Sequence, residues 1–315
     1  MSLDLDYKYS VDKISLRRYV NKDWIKIMQS IMHNPDVEYY MSADFKGYKH
    51  NWNIKTNDNG NFYVGALLNI ADKNTENNIH VKLEFNPNKC KNNELLLYVI
   101  SNIFKNNDVE IKQTGKKDYY VKKAGQIEIQ RVDIAIDMPD VHINNLVFDL
   151  ADKKSYKIFK YPGYGNKTIY LGSRKRDQIT IYNKAQEQNL TEEFGFDYDW
   201  TRYEISLKDS LKNDKDTMYN YFTINNIKDW NLKKELPRIY YVKQNEKIYK
   251  DMTRTDRCLM KGFLKNAFTL DELGRRKKKK LRAVLEKQRI TLNKEKIKKT
   301  IVNFTSDIYY NMIDE

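Results

Sequence analysis

Four short segments of this 315-residue chain alternate apolar and polar residues, and a period of two belongs to a strand, not a helix. From His80 to Asn86, one face carries Val81, Leu83 and Phe85 and the other Lys82, Glu84 and Asn86. Arg131 to Asp137 repeats the pattern, setting Val132, Ile134 and Ile136 against Arg131, Asp133, Ala135 and Asp137. From Ile179 to Lys184, Ile179 and Ile181 oppose Thr180, Tyr182 and Lys184. From Trp200 to Lys208, Tyr203, Ile205 and Leu207 oppose Arg202, Glu204, Ser206 and Lys208. One apolar and one polar face per strand is the pattern of an antiparallel sheet with a single buried side.

An ordinary solvated face needs only generic polar residues. These faces instead hold three acids, Glu84, Asp133 and Glu204, at matching strand-centre positions, and a tyrosine, Tyr182, among cations. Carboxylates beside a nucleophile suit a hard divalent cation, since Mg²⁺ takes one or two carboxylates and keeps positions open for a phosphate. Side by side in one sheet, the four segments would build a metal-dependent phosphodiester site. Asp137 is a reserve ligand, although the strand ends beside it at Met138-Pro139, where a turn role serves equally.

The remaining pattern fills in an α+β fold: a central, largely antiparallel sheet with flanking helices, followed by a helical, basic C-terminal part. Tyr7 to Leu16 reads as a strand, and Trp24, Ile27, Met28 and Ile31 recur at helical spacing behind Asp23 until Pro35. Asn57 to Gly60 is a hairpin signal, Glu94 to Phe104 a buried helix, and Gly172 to Asp177 a polar loop between strands. Leu236-Pro237 marks the expected boundary between a catalytic domain, 1–235, and a C-terminal region, 236–315.

Composition narrows the partners. No apolar run approaches the ~18 residues of a membrane span, and the opening residues, Met1 to Ser10, hold no apolar signal region. Cys90 and Cys258 lack C-x-x-C spacing, which argues against a disulfide framework or zinc site and suits the cytoplasm. The formal charge of +14 points to a polyanion. From Asp271 to Thr300 stand 13 Lys and Arg against four acids, and Leu281, Val284, Leu285 and Leu292 give that segment an amphipathic helical stripe. Arg275, Arg276, Lys277, Lys278, Lys279, Lys280 and Arg282, with Arg174, Lys175 and Arg176 in the polar loop, are therefore candidate DNA contacts. A solvated lysine-rich face is the plainer alternative. The four histidines never form a His-apolar-His pair, and no phosphate-cradling G-x-x-x-x-G-K-[ST] loop occurs.

In order along the chain stand Leu83-Glu84-Phe85-Asn86-Pro87-Asn88-Lys89, Arg131 to Asp137, Tyr170-Leu171-Gly172-Ser173-Arg174 running into Ile181-Tyr182-Asn183-Lys184 with Gln186-Glu187, and Arg202-Tyr203-Glu204-Ile205. Together these resemble the Rep-trans family of plasmid rolling-circle replication initiators, in order and spacing across roughly residues 5 to 290. A weaker match is Thr255-Asp256-Arg257. The resemblance implies that Tyr182 attacks one origin strand, leaving a 5′-phosphotyrosine and a free 3′-hydroxyl. It implies Glu84, Asp133 and Glu204 as ligands of Mg²⁺ or Mn²⁺, and Lys184, Arg131 and Arg202 as the field that makes a phenol reactive. Asn86 and Glu187 would help to position these groups. Origin DNA, double-stranded and extruded single-stranded, a host helicase and a second copy of the chain are the implied partners. The chain departs from the family pattern in one extra residue between Trp200 and Arg202 and in its dense basic run from Arg275. Two other readings compete: a conjugative relaxase of the same superfamily, disfavoured because the catalytic strand begins almost at the first residue, and a non-catalytic DNA-binding regulator.

Overall fold

Each of the four alternating segments is a strand in the computed structural model. The structure describes residues 7–20, 23–41, 50–56, 61–68, 79–90, 94–104, 109–114, 119–124, 126–149, 156–160, 167–190, 199–213, 220–233, 236–242, 246–250, 252–265, 267–268 and 270–312. In chain order the first elements are β1 Lys8–Val20, α1 Asp23–Met32, β2 Tyr39–Met41, β3 His50–Lys55, β4 Asn61–Leu68, β5 Ile79–Phe85, α2 Glu94–Phe104, β6 Val109–Thr114, β7 Tyr119–Ala124 and β8 Glu128–Pro139. They are followed by β9 Leu146–Asp149, β10 Tyr156–Lys160, β11 Lys167–Gly172, β12 Gln178–Asn183, α3 Lys184–Glu187 and β13 Trp200–Leu207. The last are β14 Arg238–Tyr241, α4 Arg254–Leu264, α5 Arg275–Leu285, β15 Arg289–Ile290 and α6 Lys294–Met312. The class is α+β, with antiparallel sheet, helices beside it and a helical C-terminal region.

The chain forms two compact units, each drawn from three segments. The first comprises Met1–Tyr9, Ala135–Ser206 and Leu232–Lys296; the second Ser10–Ile134, Leu207–Asn231 and Ile297–Glu315.

In the first unit the strand order is β10, β11, β12, β13 and then the end of β8, and β10 to β13 pair antiparallel. Ile169, Leu171, Ile179, Ile181, Tyr203 and Ile205 form the buried side, as the alternation requires. The β11–β12 turn depends on Gly172, whose φ is 89°; a Cβ there would lie 2.5 Å from the Asp177 carbonyl oxygen. A second, three-stranded sheet, β15-β14-β9, shares a core with α4 and α5 built from Val147, Tyr240, Met260, Phe263, Leu281 and Leu285. Thr253 caps α4 by accepting from the Asp256 amide at 3.2 Å.

In the second unit the order is the start of β8, then β1, β5, β4, β3 and β2. The ladders set Ser15 opposite Glu84 and Arg17 opposite Lys82, so β1 and β5 share one polar face. Helix α2 buries Leu96, Val99, Ile100 and Ile103, the spacing of one helical stripe. Helix α6 buries Ile301, Thr305 and Ile308 in the same way.

Two expectations need correcting. The basic segment is not one helix: α5 stops at Leu285, a 3₁₀ turn follows, and Ile290 pairs with Ile239 of β14, which leaves Leu292 in the connection to α6. Lys184 does not continue β12 but opens α3. The Asn57–Gly60 turn and the side chains of Asp23 and Trp24 lie outside the described residues.

Candidate active site

Tyr182 lies near the end of the polar face of β12, and three local devices arrange cations near it. The first is register. Tyr182 stands directly opposite Arg202 in the β12–β13 ladder, and Thr180 opposite Glu204. Directly opposed residues share a face with Cβ atoms about 4.5–5.5 Å apart, so pairing alone makes Arg202 a neighbour of the phenol. The second is an anchor for that arginine. Arg202 Nε donates to Asp137 Oδ1 at 2.7 Å and Nη2 to Oδ2 at 2.9 Å, with the two side chains only 10% and 11% exposed. A bidentate guanidinium–carboxylate pair fixes direction as well as charge. The Trp200 indole N–H donates to the same carboxylate at 3.1 Å. Asp137 is thus engaged by two donor side chains and orients Arg202, as Asp133 is engaged by Arg131.

The third device is a helix cap. Asn183 accepts from the Gln186 amide at 3.2 Å, which ends the strand and starts α3. The turn brings the Lys184 ammonium to 5.8 Å from the centre of the Tyr182 ring, where it also pairs with Glu187. Glu187 therefore positions Lys184. On the opposite face of the sheet, burial pushes the Tyr203 phenol well above its ordinary value.

The second unit holds Glu84, Arg131 and Asp133. Glu84 is buried and pairs with Lys13 at 2.7 Å and Lys82 at 3.0 Å. Asp133, also buried, accepts both Nε and Nη2 of Arg131, at 2.8 and 2.6 Å. Lys208 feels both carboxylates, but desolvation above all, then Arg131, holds its ammonium below the ordinary lysine value. Among the described residues the buried Ser15 hydroxyl, opposite Glu84, finds no hydrogen-bond partner. Oxygen donors of this kind, with an orphaned hydroxyl beside them, fit a hard cation. The same carboxylates are already shared with Lys13, Lys82 and Arg131, so a metal would compete with these cations. Among the described residues no group of three His, Cys, Asp or Glu is gathered for a metal. Glu204 belongs to the first unit. Asn86 donates to Asp12 at 3.4 Å and accepts from the Asn88 amide at 2.9 Å, a turn-forming role.

The two basic surfaces differ from each other. Arg174, Lys175 and Arg176 are exposed at the tip of the β11–β12 hairpin. In α5, Arg275, Arg276, Lys277 and Lys279 are exposed, whereas Lys278 pairs with Asp271, Lys280 with Asp256, and Arg282 with the buried Asp149 at 2.7 Å. Asp256 of the Thr255-Asp256-Arg257 motif therefore joins α4 to α5. Four cations open α5 with no acid in its first turn, an arrangement the helix dipole disfavours unless an anion lies against it.

Sequence reasoning passed over Lys13 and Ser15, although β1 alternates like the other strands and its polar face could have been read. The role of Asp137 had no local signal, because its partners lie more than sixty residues away.

Residues 147–221 match the family of replication initiation factors known as Rep-trans. Over this segment, about a quarter of its length, the chain is similar to that family. The match takes in Tyr182, Lys184, Arg202 and Glu204 and leaves Glu84, Asp133 and α5 outside it. No curated protein matches the chain. Among the described residues no helix is long and apolar enough to cross a membrane.

Proposed function

We propose that this protein is a Rep-trans initiator that nicks and recloses one strand at a plasmid origin to start rolling-circle replication, with Tyr182 as the nucleophile. The observation that carries the reading is Tyr182 in register with an arginine locked by Asp137, with Lys184 against its ring, inside the family-matched segment. Cations beside a phenol favour its ionised form. The Tyr182 oxygen attacks the scissile phosphorus, the bond to the 3′-oxygen breaks, and that oxygen leaves as a 3′-hydroxyl once protonated. The phosphotyrosine diester keeps the bond energy, so the reverse attack by a 3′-hydroxyl reseals the strand without ATP. Arg202 is placed to neutralise charge on the phosphoryl oxygens as it develops.

Glu84, Asp133 and Glu204 are the residues this reading assigns to Mg²⁺ or Mn²⁺, on donor chemistry and on the family resemblance. When bound, such an ion polarises the scissile phosphate. The region from residue 236 onward, with α5, would recognise the origin, and the protein would act in the cytoplasm as a dimer beside a separate helicase.

The test is to incubate the protein with supercoiled plasmid carrying its coding region, with Mg²⁺ or Mn²⁺, against Tyr182→Phe. Nicked or relaxed circles carrying protein on a 5′ end, absent in the variant while DNA binding persists, are expected. Intact supercoils that are nevertheless bound would favour a non-catalytic regulator.

A further inference from the structure

On the face that carries Tyr182, the two outer strands of the first unit present aromatic rings. Tyr170 stands opposite Thr180 of β12 and opposite Lys157 of β10, and Phe159 stands opposite Thr168. The period of two therefore puts Lys157, Phe159, Tyr170 and Tyr182 on one side of the sheet. Phe159 and Tyr182 both lie toward the end away from the hairpin tip. The rings of Phe159 and Tyr170 meet edge to face, with centroids 5.5 Å apart and planes at 87°. Phe159 is 54% exposed, and β10 is the last strand in the order, so no described strand covers it.

Core packing does not explain this pair, because the buried residues of β11, Ile169 and Leu171, lie on the other face. An exposed aromatic on an edge strand is a liability that proteins ordinarily avoid. What distinguishes this one is its setting: two strands from the nucleophile, about 10 Å by strand spacing, with the exposed Lys157 alongside. Aromatic rings beside a cation are what an unpaired nucleic-acid strand uses, bases stacking on the rings while phosphates meet the charge. In a duplex the base faces are covered by their neighbours, so only an unpaired base can use such a surface.

We propose that Phe159 and Tyr170 form a stacking platform for an unpaired DNA base flanking the phosphodiester that Tyr182 attacks, with Lys157 against an adjacent phosphate. The proposal rests on the nicking function above and names how that site holds its strand. Stacking is tolerant of sequence, so an unselected probe tests it: a fluorescein-labelled oligothymidine of about 20 nucleotides, titrated with the full chain by anisotropy beside a duplex of equal length. Phe159→Ala, and Phe159→Leu, which keeps apolar bulk, are expected to weaken single-strand binding roughly 5-fold or more, with Phe159→Trp close to the parent and duplex binding unmoved. A parent chain that nicks plasmid while its oligothymidine affinity is unchanged in both variants overturns the platform and leaves the nicking function standing. A parent chain that neither nicks nor binds DNA overturns both.

Discussion

Arg202 and Arg276 carry the same charge in the same unit and are held in opposite ways. Arg202 is nearly buried, fixed by two bonds to Asp137 and set against Tyr182 by the strand ladder. Arg276 projects from the first turn of α5, exposed, beside Arg275 and Lys277. A buried bidentate pair costs desolvation and holds one direction. Exposed cations cost little and hold none, yet each can release a counterion from DNA. Under the proposed function, the contrast separates a charge that must be in one place when a bond breaks from charges that need only be near a polyanion.

The largest effect short of losing Tyr182 itself is expected from Asp137→Asn, which would break that contrast by loosening Arg202. The nicking rate should fall about 100-fold, comparable to losing one preorganised stabilising group, and unfolding stability by about 3 kcal/mol because Arg202 is left partly uncompensated. Single-turnover nicking and urea unfolding measure the two. A nicking rate unchanged alongside the stability loss would mean that the direction of Arg202 is irrelevant to the chemistry.

A smaller and different effect should follow from changing Arg275, Arg276, Lys277 and Lys279 together to Gln. Binding should weaken, and the dependence of log K on log salt should become shallower by about 3, while nicking at saturating DNA holds. Arg282 is left intact in that variant because its removal would strand the buried Asp149 carboxylate. A salt slope that does not move would take α5 out of the DNA interface.

Much of this was legible in residue order because a strand declares its faces by alternation. The polar faces of β5, β8, β12 and β13, the length of α2 and the β11–β12 turn all follow from local pattern. Contacts that join distant segments do not. Nothing near Asp137 announces Trp200 and Arg202, and nothing in the run from Arg275 to Arg282 separates the cations that pair with Asp271, Asp256 and Asp149 from those that stay exposed. The stop of α5 at Leu285 was hidden for the same reason, since the pairing of Ile290 with Ile239 overrides helical periodicity. Lys184 shows the converse case: Asn183 is a recognisable cap, but a strong strand pattern masks it.

Acid provides the smallest of these effects and sets the window in which the others can be compared. His80 in β5 is buried with its ring edge-on to Tyr19, 5.8 Å between centroids. Burial first, then the Arg17 charge, pushes its imidazole down to about 4. The unfolded chain takes up that proton near the ordinary value of about 6.5. Above this the group is neutral in both states and its contribution is constant; below it the unfolded state binds a proton that the folded state refuses, so stability falls until the pH passes the folded value. Between pH 7 and 4.5 the parent should lose about 2 kcal/mol more than His80→Gln in urea unfolding, and equal losses would mean that the imidazole is hydrated in the folded chain. A fall in nicking below about pH 6.5 therefore mixes chemistry with fold, and the Asp137 and α5 comparisons belong above it.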